Sequence, residues 1–341
     1  MRNICSNCFS DVEIVAFINT QANHVGECDF CDSSHVYVMD AEVLYDFFKE
    51  LLDNFRHDDN GQMLWEVIQE NWNLFSSPEV SEKVLDTIIP ELSLKISDAN
   101  ELVVFSDEIL ENVNYWTELK ENIKWERRFT TDLDFIINDL GWDGLLSDKV
   151  TIDKNCDFYR ARLHHTELSN AFSPHEMLSP DKYIASSGRA NPAGIPFLYL
   201  CDNKETVLYE IRATYLDEIS IGTFSLKENI LDEIFVADFT TIPSIFYQGE
   251  GGITSKIKSK LLKDLISHDL SKPIRRYDSK LDYVPTQFIC EFIRYYTVGA
   301  HGIKFKSSLH PEGNNLVIFD QDLWECKGVD KVKIKEVIIS A

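Results

Sequence analysis

The chain has 341 residues, 44% hydrophobic and 12% aromatic, with 57 acidic against 33 basic residues and a formal net charge of −24. That much apolar and aromatic material builds a sizeable core in about two domains and excludes a disordered chain. The charge repels phosphate backbones and anionic lipid surfaces, which argues against a general nucleic-acid binder or a membrane-surface protein. The opening residues, MRNICSNCFS, contain neither the apolar stretch nor the cleavage site of a secretion signal. No apolar run approaches the roughly 18–20 residues that span a bilayer, and both absences point to the cytoplasm.

Four of the eight cysteines, Cys5, Cys8, Cys28 and Cys31, form two C-x2-C pairs separated by nineteen residues. Each pair supplies two thiolates from one tight knuckle, and together they fill the tetrahedral shell of a zinc ion. EIVAFI (13–18) and SHVYVM (34–39) are predicted strands, so knuckle, strand, knuckle, strand gives a zinc ribbon over residues 1–40. A full shell of four sulfurs leaves no open position, so the metal is structural. Two disulfides or a redox pair are the alternative, disfavoured in a cytosolic chain. Cys156, Cys201, Cys290 and Cys326 stand singly and read as free thiols.

Residues 41–148 have a helical pattern. AEVLYDFFKELLDNF and GQMLWEVIQENWNLF space their apolar residues for one buried face; SPEVSEKVLDTIIPEL opens on the serine–proline pair that starts helices. SDEILENVNYWTELKENIKWERRF and TDLDFIINDLGW follow. The tryptophans and phenylalanines here read as core, and the acidic faces as a surface for a partner. From about 149 short strands alternate with helices. PFLYLC, ISIGTFSL, IFVADF, HGIKFKS and NLVIFD are predicted strands; KETVLYEIRATYL, residues 254–270 and residues 285–298 are predicted helices. That is a mixed α/β domain over 149–341. No phosphate-cradling glycine loop, nucleophile elbow or H-E-x-x-H is present, so any phosphate must be gripped by side chains.

Four stretches in order, FYRAR (158–162), GRANPAGIPFLYL (188–200), ETVLYEIR (205–212) and HGIKFKSSLHPEGNNLVIF (301–319), resemble a RES domain. The resemblance implies an ADP-ribosyltransferase-like fold and NAD+ as substrate, in a family that includes NAD-destroying toxins of toxin–antitoxin pairs. The helical segment with its ribbon is similar to modules related to HEPN domains. It lacks their R-x4–6-H pair, since His57 is the sole histidine in 41–148 and no arginine precedes it at that spacing, which argues against a nuclease. The overall class is α+β, a zinc ribbon and helical bundle followed by the RES domain.

The resemblance assigns the site residues. Arg189 and Arg160 grip phosphate, Tyr199 lines the nicotinamide pocket, Glu210 binds the ribose and steadies positive charge, and Ser307 supports the pocket. Taken singly, each has an ordinary structural explanation; the ordered set is what points to NAD+. Glu205 and Glu291 are rival carboxylates, Glu291 reading as the structural partner of an arginine. The implied activity is cleavage of the nicotinamide–ribose bond. Transfer of ADP-ribose to a macromolecule, and a silent nucleotide-binding protein, are the alternatives. An antitoxin or other regulatory protein and self-association are the partners left open.

Overall fold

A computed structural model describes residues 2–165, 170–247, 252–272 and 280–336. Two packing units divide the chain, one of residues 1–115 with 242–261, the other of 116–241 with 262 onward.

The first unit begins with β1 (Asn3–Cys5), α1 (Val12–Gln21), β2 (His24–Glu27) and β3 (Ser34–Asp40), the strands forming an antiparallel sheet in the order β1-β3-β2. The predicted strand over 13–18 is thus a helix. A short apolar run fits either element, and here the cap decides. The Asp11 carboxylate accepts the amides of Glu13 (3.0 Å) and Ile14 (3.3 Å), and Ile14 and Ile18, one turn apart, are buried. Asp11 also accepts the Ser244 hydroxyl (2.6 Å) and the Ile245 amide (2.9 Å), fastening residues 242–261 into this unit.

Next come α2 (Tyr45–Leu52), β4 (Phe55–Met63), α3 (Leu64–Trp72), α4 (Pro78–Ile88), β5 (Leu102–Phe105) and α5 (Asp107–Trp125). The helices lie where their periodicity put them, and Ser77 caps α4 through the Val80 amide. The antiparallel pair β4–β5 interrupts the expected all-helical stretch. Its first strand, FRHDDNGQM, has too few apolar residues to show as one. Gly61 makes the pairing feasible, because a Cβ there would collide with the Val103 backbone.

In the second unit α6 (Trp142–Leu145) precedes β6 (Lys149–Thr151), β7 (Phe158–Leu163), β8 (Leu198–Cys201), α7 (Lys204–Glu210), β9 (Glu218–Leu226) and β10 (Phe235–Asp238). It continues with the C-terminal part of α8 (Gly252–Ser271), then α9 (Val284–Tyr296), β11 (Ala300–Lys306), β12 (Asn314–Ile318) and β13 (Trp324–Lys333). One eight-stranded sheet runs β13-β9-β7-β8-β12-β11-β10-β6, antiparallel except at β10–β11. The five predicted strands are all present, while β6, β7 and β13 went unread as strands. The helix predicted from KETVLYEIRATYL stops at Glu210, and Arg212 and Leu216 follow in the left-handed region at φ 53° and 70°. The Trp116 indole and Lys120 ammonium both donate to Asp269 at 2.7 Å, and Trp116 packs on Trp142. These contacts draw residues 116–148 into this unit, so packing divides the chain elsewhere than the sequence boundary at 148. Among the described residues no helix is long and apolar enough to cross a membrane.

Candidate functional site

Two constellations carry chemistry. In the first unit, Cys5, Cys8, Cys28 and Cys31 bring their sulfurs within 4.8 Å of one another. Cys5 and Cys31 sulfurs are 3.5 Å apart, Cys8 and Cys28 sulfurs 3.4 Å. A disulfide needs about 2.05 Å, whereas a tetrahedral ion with sulfur ligands at about 2.3 Å sets them about 3.8 Å apart. The spacing therefore fits a metal and not two disulfides. The thiols of Cys5 and Cys8, with the Phe30 and Cys31 amides, hold the Cys28 thiol below its ordinary range, while their bonds to Cys28 push the Cys5 and Cys8 thiols up.

In the second unit a cavity of about 370 Å³ opens over β7, β8 and β12, closed on its sides by α7 and the turn at 188–191. Its walls are mixed: Val207, Ile211, Phe305 and Leu316 are apolar, and a few polar groups converge among them.

The turn is built around Tyr199. The Tyr199 hydroxyl accepts the Ala190 amide (3.0 Å) and donates to Asn191 Oδ1 (2.8 Å). Burial pushes this phenol up, so it stays a donor. At Gly188 a Cβ would press on Asn191 Oδ1 and the Tyr199 hydroxyl, so glycine leaves room for the bond between them. Gln287 on α9 clasps the same turn, its Nε2 donating to the Gly188 carbonyl (2.7 Å) and the Ser187 hydroxyl (2.8 Å). Tyr199 thus does two things: its ring lines the cavity, and its hydroxyl shapes the loop that carries Arg189.

The two arginines differ. Arg189 lines the cavity but already donates Nη1 to the Leu270 carbonyl at 2.7 Å, near the end of α8. Arg160 also lines the cavity, and its Nη1 is buried with no hydrogen-bond partner among the described residues. Burial, helped by the Arg162 charge, pushes the Arg160 guanidinium down to about 10, still well above neutrality. A charged, buried nitrogen without a partner is costly in the free protein. It is what an anionic ligand would satisfy.

Glu210 ends α7, whose first turn is capped by Asn203 through the Thr206 amide (2.8 Å). It lines the cavity, and its Oε1 accepts two hydrogen bonds of 2.7 Å, from the Ser307 hydroxyl and from Asn315 Nδ2. Ser307 is buried behind Glu210. Asn315, Gln287 and Cys201 were missed in the sequence. The signal for Asn315 was there, a polar residue inside the apolar run NLVIF. Glu205 is exposed and away from the cavity. Glu291 is exposed too, and has no ion pair with an arginine among the described residues.

Arginines, a tyrosine-braced turn and a serine-held glutamate, drawn from four distant stretches, meet at one cavity in the order read from the sequence. A family model described as RES domain matches residues 157–336, over half of the chain. The chain belongs to the RES domain family. No curated protein and no solved structure matches it. RES domains are known from NAD-related toxin families, and the general function of this one is NAD-related. The match extends through β13, which pairs along the whole of β9, so the domain includes an edge that the sequence motifs did not mark.

Proposed function

We propose that this RES domain cleaves the nicotinamide–ribose bond of NAD+ by hydrolysis. The observation that carries the reading is Glu210: among the described residues it is the carboxylate that lines the cavity, its Oε1 is held by two donors and its Oε2 has no hydrogen bond. Nicotinamide leaves a pyridinium, taking the electron pair of the C–N bond and departing neutral, so the reaction needs no general acid. It needs a negative group beside the positive charge growing on the ribose. Oε2 is suited to that position. Water then adds to C1′ and loses its proton to solvent, giving ADP-ribose. Arg160 takes the diphosphate through its unpaired Nη1, with Arg189 beside it; guanidinium groups make the paired contacts that lysine cannot. Tyr199 walls the nicotinamide end, and Ser307 steadies Glu210.

In the first unit the cysteine cluster binds one structural zinc. The functional parts we propose are a ribbon over 1–40, a helical part over 41–148 without nuclease activity, and the RES domain over 149–341. Loss of NAD+ harms the cell that holds the enzyme, which suits a cytoplasmic toxin or defence effector restrained by a protein partner or by its own N-terminal part. The test is incubation of the pure protein with NAD+ and separation of the products. Equal amounts of nicotinamide and ADP-ribose support hydrolysis. Nicotinamide with ADP-ribose fixed to a macromolecule means transfer, and intact NAD+ overturns the proposal.

A further inference from the structure

We propose that Asn315 is a positioning residue: it fixes which oxygen of Glu210 faces the ribose, and from what angle. The inference rests on the NAD+-cleaving reading of the same site. A carboxylate at the end of a glutamate side chain turns freely, because its last torsion is broad and two-fold. Catalysis by charge stabilisation needs it held still, since reorganisation during reaction costs rate.

Two donors, one just past β11 and one on β12, converge on Oε1. Ser307 follows β11 and Asn315 lies on β12, and each bond is 2.7 Å long. The Ser307 oxygen accepts the amides of Leu309 (3.2 Å) and His310 (3.1 Å), so its single proton must point at Glu210. One such bond still allows the carboxylate to swing about it. The second, from Asn315, removes that freedom and leaves Oε2 without a hydrogen bond among the described residues, on a side chain that lines the cavity.

The amide of Asn315 is itself oriented. Asn315 pairs in register with Cys201 on β8, and the Cys201 thiol donates to Asn315 Oδ1 at 3.1 Å. Burial, reinforced by the Glu210 and Asp202 carboxylates, pushes that thiol up, so it keeps the proton it donates. With Oδ1 accepting, Nδ2 is turned to Glu210. The next three residues of β12, Leu316, Val317 and Ile318, are buried and apolar. A buried amide in such a strand is costly unless bonded, and the side-chain bonds of Asn315 run to Glu210 and Cys201, both on the cavity wall. Its placement therefore serves the site.

The experiment compares steady-state nicotinamide release by the wild-type full chain, Asn315→Ala and Asn315→Asp, with thermal melting to show that each is folded. The aspartate variant keeps the shape of the side chain but sets an acceptor against Glu210, and it decides the matter if the alanine variant does not fold. The expected result is a fall in kcat of about 10- to 100-fold with KM within about threefold, as for a displaced catalytic group. A loss confined to KM, or wild-type kcat in a folded variant, overturns the positioning role and leaves the NAD+ reading intact. If the wild type releases no nicotinamide, both fall together.

Discussion

The cysteine cluster and the RES cavity are built on opposite rules. The cluster draws four thiols from 27 residues of chain, Cys5 to Cys31, close enough together for one ion to satisfy all of them. The cavity draws its groups from residues 159 to 316, and among the described residues neither the Arg160 Nη1 nor the second oxygen of Glu210 has a hydrogen-bond partner. A closed shell spends its interactions on the fold; an open one keeps them for a ligand. Substitutions in the first should therefore act on stability, and substitutions in the second on binding and turnover.

The largest effect should come from the closed shell. Structural zinc contributes on the order of 10 kcal/mol to the folding of small ribbons, so Cys8→Ser, or chelation of the wild type, should abolish the thermal transition of the first unit and release one zinc per chain. Calorimetry with elemental analysis measures both, and a metal-free chain that melts normally would erase the contrast. Arg160→Leu tests the open site from the other side. Removing a guanidinium whose buried Nη1 has no hydrogen-bond partner among the described residues should leave melting unchanged or raise stability by about 1 kcal/mol. It should nonetheless raise KM for NAD+ about 10- to 100-fold, the worth of a charge-assisted bond. A variant that melts lower with unchanged KM would make Arg160 a structural residue. Asp11→Ala removes a helix cap and leaves the Ser244 hydroxyl without its acceptor, for a loss of about 1–2 kcal/mol in the first unit. Nicotinamide release should not change, and denaturant titration beside the enzyme assay reads both. Glu205→Gln, on the exposed side of α7, should match the wild type in melting and rate.

The same contrast governs what could be read in advance. The four cysteines announce themselves, because the two thiols of each knuckle sit three positions apart in the chain. Arg160, Arg189, Tyr199, Glu210 and Ser307 were legible only as an ordered set, since each alone resembles a surface or core residue. What the set left out are groups that reach the cavity and its turn only through strand register or helix packing. Asn315 matters because the register sets it against Cys201 and beside Glu210, and Gln287 because α9 brings it to the turn at 188–191. The distinction between the arginines was likewise hidden, for it depends on Arg189 reaching the Leu270 carbonyl while the Arg160 Nη1 has no hydrogen-bond partner among the described residues. Local capping explains the remaining differences: Asp11 turned an apolar run into a helix, and Gly61 let a polar run pair as a strand.

The central claim is that the open carboxylate of Glu210 performs the chemistry, and single-turnover nicotinamide release by Glu210→Gln against the wild type tests it most directly. The amide keeps the shape and loses the charge, so NAD+ should still bind with wild-type affinity while release slows by about 10²–10³-fold. Release at the wild-type rate from the folded variant would contradict the account.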